Sequence, residues 1–145
     1  PLRYLVAGMG DALATWYEAR TCLENPAARN MLAARPTLAA AALGRLCADT
    51  LFEHGAAAVN AVLAREVTPA LNAVVEANTL LSGLGFESGG LACAHAVAQG
   101  LTVLPRLHAG FLHGEMVAIG LITQLALEQR VEEGERVATL LATVG

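Results

Sequence analysis

Apolar residues recur at intervals of three and four along almost all of the 145-residue chain, and no long stretch alternates apolar with polar. A spacing near 3.6 is that of a buried helix face, whereas a half-buried strand needs a period of two. An all-α domain of six to eight helices follows. The spacing predicts a helix over 11–23 and a new turn at Asn25-Pro26. Arg35-Pro36-Thr37 opens a second helix, which runs to Glu53, breaks or kinks at His54-Gly55 and resumes to Glu66. Thr68-Pro69 reads as an N-cap with proline in the first helical position, opening a helix to Leu81. The glycine-rich "SGLGFESGG" reads as a turn into the helix that carries His95, and 105–111 as a loop. His113 then opens a helix to Val131, and a last one starts at Glu133. Residues 1–145 are read as one domain.

How such helices pack depends on side-chain size. Hydrophobic residues make up 55% of the chain, but aromatic ones only 4%, with alanine and leucine dominant, so close contacts through small side chains are expected. Only 15% of residues are charged, which predicts that some apolar surface meets another subunit or domain, as in a homo-oligomer. A net charge of −4 without a basic stripe argues against nucleic acid and against an anionic membrane as partners. The longest uncharged run, the 18 residues 88–105, contains His95, Gln99, Pro105 and three glycines, so a membrane span is not expected. Cys22, Cys47 and Cys93 are odd in number and lack C-x-x-C spacing; reduced thiols in a cytoplasmic protein are expected. No signal peptide is read at the start, and both ends read as cut from something longer.

Three polar residues stand out against this background. His95 lies in "ESGGLACAHAVAQG", among small residues that leave room beside its ring; alternatively it is a hydrogen-bonded core histidine. His113 comes 18 residues later, before Gly114, which would let a ligand or another backbone approach closely. Its neighbour Glu115 suits the positive end of a helix dipole. Asp11 is a good N-cap by itself, and a helix-start carboxylate can also turn towards a metal. Two imidazoles and one carboxylate from three helices can hold catalytic zinc with a fourth position open, and the same set can hold iron(II).

The blocks "GMGDALATWYEA", "LLSGLGFESGGLACAHAV" and "HGEMVAIGLITQLALE" resemble the helical C-terminal domain of bacterial glycerol dehydrogenases, in the iron-containing alcohol dehydrogenase superfamily. The resemblance runs from Gly8 to Glu128, three blocks in order, and is weakest between Asn25 and Ala64. It implies the multi-helix C-terminal domain of the dehydroquinate synthase-like fold. It implies oxidation of the secondary hydroxyl of glycerol to dihydroxyacetone, with NAD and a bound zinc. It also implies Asp11, His95 and His113 as metal ligands, the same three residues reached from their chemistry.

Two positions depart from the family pattern. Ala98 stands where relatives often carry a second histidine, and Met116 replaces the lysine of "HGEK", a solvent-side or packing difference. Ala98, His108 and Phe111 are the candidates for lining a small-polyol pocket, and His54 is read as a helix-end residue without a site role. No glycine-rich turn follows a strand, so the chain lacks a dinucleotide fingerprint, and the family's N-terminal nucleotide-binding domain is read as absent. Two alternatives stay open. A dehydroquinate synthase-like relative shares an "HGEAVAIG"-like block but takes a phosphate-bearing substrate, for which nine Lys and Arg are few. A non-catalytic metal-binding or oligomerising helical module is the other.

Overall fold

The computed structural model describes residues 2–145. Eight α-helices occur among them: α1 (Leu2–Glu24), α2 (Leu38–Ala64), α3 (Pro69–Glu76), α4 (Ser82–Gly89), α5 (Cys93–Leu101), α6 (Pro105–Gly110), α7 (His113–Leu127) and α8 (Val131–Val144). A π-helical turn, Ala77–Leu81, joins α3 to α4 with helical backbone throughout, so 69–89 forms one rod. The described residues contain no strand, and none of their helices is long and apolar enough to cross a membrane.

Helix α1 lies at the centre. It packs on α2 and α4 on one side and on α7 on the other, and α7 in turn carries α5. Met9 and Leu13 of α1, Leu51 of α2, and Val117, Leu121 and Leu125 of α7 are fully buried where these elements meet. Each such side chain removed from water contributes roughly 1.5–3 kcal/mol.

Two helix starts follow the sequence reading closely. Thr37 accepts the N–H of Ala40 at 3.1 Å, and Thr68 accepts that of Leu71 at 3.2 Å with Pro69 in the first turn. Other boundaries differ, and glycine explains most of the differences. Helix α1 starts at Leu2, so Asp11 stands mid-helix and is no N-cap. Leu2, Leu5 and Val6 extend its apolar face over the core, while Gly10 lets it lie against the backbone of Gly114. Helix α2 passes through His54-Gly55 unbroken, because Gly55 is a packing surface for Met9, Leu140 and Val144. The glycine cluster is helical up to Gly89. Only Gly90 turns the chain, with φ +96°, a conformation that strains any L side chain. The expected loop over 105–111 holds the short helix α6, with Pro105 in its first turn, α7 stops at Leu127 and α8 begins at Val131. Met116 is buried, so its difference from relatives is one of packing and not of the solvent side.

Glu115 fixes the start of α7. Its carboxylate accepts the Leu112 N–H at 2.8 Å and pairs with Arg3 of α1 at 2.7 and 2.8 Å. Arg3, and then the Leu112 N–H, hold its pKa down at about 2. A carboxylate with a depressed pKa stabilises the fold above its unfolded value of about 4.3 and loses that contribution as pH falls towards 2. Denaturant unfolding between those limits is expected to show a shallower loss of stability with acid in Glu115→Gln than in the wild type. Equal slopes would show that the pair contributes nothing.

Candidate metal centre

Asp11 projects from the middle of α1, His95 from the first turn of α5, and His113 begins α7. Their side chains meet at one point. His95 Nε2 lies 3.2 Å from Asp11 Oδ1, and His113 Nε2 lies 3.9 Å from the same oxygen. The two rings stand 5.5 Å apart, tilted by 47°. One ligand atom from each residue falls within 4.8 Å of the other two. Ligands at about 2.0–2.1 Å from a tetrahedral zinc stand roughly 3.3 Å from one another, so small side-chain rotations would close the set around an ion. One oxygen and two imidazole nitrogens suit zinc or iron(II). The residues therefore fit a divalent metal.

Burial grades across the three. The His95 side chain is 14% exposed, Asp11 38% and His113 54%, so the point lies at the floor of an open cleft. That cleft has a volume of about 400 Å³, and its walls include Asn78, Thr79, Ser82, Phe86 and Gln99. A slightly larger cavity, about 420 Å³, lies between α1, α7 and the end of α8. Leu2, Val6, Leu141 and Val144 line it, and its charged residues, Arg3 and Glu115, neutralise each other. Only the first cleft has convergent groups able to bind a cation.

Helix α5 has nine residues and no side-chain cap of its own, which leaves its first N–H groups to be satisfied from elsewhere. Two other helices supply the acceptors. Glu18 Oε1 of α1 takes the N–H of Ala92 at 2.7 Å and of His95 at 3.0 Å. Gln124 Oε1 of α7 takes the N–H of Ala94 at 3.0 Å. The Gln124 amide in turn donates to Thr21 at 3.1 Å and Glu128 at 3.0 Å. The second Glu18 oxygen, Oε2, lies 2.5 Å from His95 Nδ1. Burial favours the neutral His95 ring, but hydrogen bonds to Asp11 and Glu18, with their negative charge, outweigh it and raise its pKa to about 9. The pocket between the carboxylates thus favours positive charge.

Glycines set the spacing of the three helices. A Cβ on Gly114 would stand 1.9 Å from the carbonyl oxygen of Ala7, and one on Gly120 would stand 2.1 Å from that of Ala94. Helix α7 therefore touches α1 and α5 main chain to main chain. The space that Gly114 leaves beside His113 is filled by backbone and not by a ligand.

The structure thus brings Asp11, His95 and His113 together and leaves the other candidates out of the cleft wall. Ala98 is fully buried in the hydrophobic core, and Gln99, one residue on, lines the cleft instead. His108 and Phe111 are exposed on and just after α6, and neither lines the cleft. His54 lies within α2, not at a helix end. Glu18 was not singled out in sequence. Its only signal is a place seven residues, or two turns, after Asp11 on one helix face.

Comparison with known proteins agrees with this geometry. No protein-family model matches the chain. A glycerol dehydrogenase of Thermotoga maritima is 57% identical over 130 residues, covering 90% of this chain and 35% of that protein. The crystal structure of glycerol dehydrogenase from Schizosaccharomyces pombe superposes with a TM-score of 0.93 at 37% identity, covering 99% of this chain and 37% of that one. The chain is homologous to glycerol dehydrogenases. A glycolaldehyde reductase of Halobacterium salinarum is 52% identical over 137 residues, 92% of this chain and 37% of that protein. The chain spans little more than a third of the length of these relatives. Its all-α architecture is that of the C-terminal helical domain of the iron-containing alcohol dehydrogenases.

Proposed function

We propose that these residues form the metal- and substrate-binding part of an NAD-dependent glycerol dehydrogenase, with the nucleotide held mainly by an α/β portion outside them. The observation that carries this is the convergence of Asp11, His95 and His113, from three helices, at the floor of one polar cleft. These three would hold a zinc ion, which when bound acts as a Lewis acid on an alcohol oxygen and eases loss of its proton. The protein's own share is position and field. Asp11 supplies the negative charge that a divalent cation needs. His95, the most buried of the three, fixes one direction of approach, and the exposed His113 faces the open side. Thr79, Ser82 and Gln99 offer hydroxyl and amide partners for the remaining hydroxyls of a small polyol. Phe86 and Leu91 supply apolar wall that keeps water from the reacting carbon.

The 52% identity with the glycolaldehyde reductase supports a second reading, a site used mainly to reduce a small hydroxyaldehyde. One assay separates them. The full-length enzyme containing this chain is expected to bind about one zinc and to oxidise glycerol with NAD at a higher kcat/KM than it shows for glycolaldehyde reduction with NADH. The reverse ranking would favour the second reading, and zinc-free, fully active enzyme would overturn both. The chain alone is expected to reduce no NAD. The unpaired Cys22, Cys47 and Cys93 support a reducing, cytoplasmic setting, and exposed apolar residues such as Leu38, Leu46 and Leu63 support a homo-oligomer.

A further inference from the structure

The Glu18 carboxylate is completely buried, yet no arginine or lysine pairs with it; its partners are two backbone N–H groups and the His95 ring. A buried carboxylate needs hydrogen-bond partners on its oxygens, and this one is placed so that its two oxygens do different things. Oε1 faces the open end of α5. Oε2 faces Nδ1 of the histidine whose other nitrogen, Nε2, points at Asp11. We infer that Glu18 is a positioning residue for the metal centre: it holds the Nδ1–H form of His95 and so turns an unprotonated Nε2 towards the ion. This rests on the metal-site reading above and adds a residue of α1 that touches neither metal nor substrate.

The chemistry is that of ring nitrogens, which differ once one of them is engaged. A carboxylate accepts only, so a nitrogen facing one carries a proton; without a cation both Glu18 and Asp11 make that demand of His95, and with Asp11 turned to a cation Glu18 alone would make it, at Nδ1. The other nitrogen is then free to donate its lone pair to a metal. The same oxygen-bearing side chain also fixes the ring's place along α5, because it holds the N–H of the histidine itself. Backbone and ring of His95 are thus set by one group on α1, the helix that also provides Asp11.

Glu18→Gln separates this from a plain capping role. A glutamine keeps an oxygen that can accept the Ala92 and His95 N–H groups, so the cap and the fold are retained. Its amide then faces Nδ1 with a donor, which requires Nδ1 to accept and puts the proton on Nε2, the nitrogen a metal needs. Zinc affinity, measured by competition with a chromophoric chelator, is expected to fall about 10–100-fold. Long-range 1H–15N spectra at alkaline pH are taken in metal-free Asp11→Ala protein, where Glu18 alone still faces the ring; they are expected to show His95 as the Nδ1–H tautomer there and as Nε2–H when Glu18→Gln is added. Unchanged zinc affinity in a folded variant would overturn the inference, as would lost affinity without a change of tautomer. If the Glu18→Gln variant does not fold, the Asp11→Ala spectrum decides, since an Nε2–H ring there, with Asp11 gone, is incompatible with the role. If wild-type protein binds no zinc, the metal-site reading fails, while the tautomer pair still shows whether Glu18 sets the ring.

Discussion

Asp11→Ala is expected to abolish zinc binding while leaving the helices intact. Asp11 is the sole carboxylate of the three converging residues, and without it only the two imidazoles remain. Removing a direct ligand should cost affinity on the order of 1000-fold, beyond the roughly 10–100-fold typical of an outer partner. Its side chain is 38% exposed and lies mid-helix, where alanine is the best helix former. The metal-free melting temperature should therefore change little. Zinc content by plasma emission and a thermal melt on the same sample check both halves. Near-full zinc in a folded Asp11→Ala protein would show that the ion, if any, sits elsewhere.

Gly120→Ala is expected to destabilise the fold and to empty the site from seven residues away. Its new Cβ would stand 2.1 Å from the carbonyl oxygen of Ala94 and 2.9 Å from its carbon. Both atoms belong to the backbone of α5, so no rotamer can relieve the overlap and α5 and α7 must separate. Overpacking of this kind costs about 1–3 kcal/mol, and with no flexible side chain to yield, about 3 kcal/mol is expected. For a chain of this size that is roughly a 10 °C fall in melting temperature. Separation of α5 from α7 also pulls His95 from His113, so zinc should be lost as well. Gly100→Ala is the control, because a Cβ there meets nothing within 4 Å, and it should leave both properties unchanged. A normal melt and normal zinc in Gly120→Ala would mean that the helices can slide apart without moving the ligands.

These glycines also show what could be read in the sequence and what could not. Thr37 and Thr68-Pro69 act within a few residues of themselves, so their helix starts were legible. Asp11, His95 and His113 were legible as residue types and through the resemblance of their blocks. Gly55 and Gly85 read as a break and a turn because a lone sequence shows a missing side chain but not the neighbour that uses the space. Each is a helix-packing surface, and that is a fact of three dimensions. Glu18 was hidden for the same reason. Its partners lie 74 and 77 residues away, and its burial depends on where α5 docks. Ala98 was placed on the correct helix, but the side of α5 that meets the core could not be phased without α7.

The π-helical turn at 77–81 lies in the cleft wall and on none of the three helices that bear the converging residues. A π turn takes one residue more than the α-helical path it replaces, and such turns are frequent at functional sites. The surplus residue is absorbed locally, since backbone dihedrals on both sides stay α-helical. Asn78 and Thr79 therefore face the cleft at an angle that the uninterrupted rod would not give them. The converging residues and this part of the wall thus sit on separate elements, so a change in the turn reshapes the cleft without touching Asp11, His95 or His113.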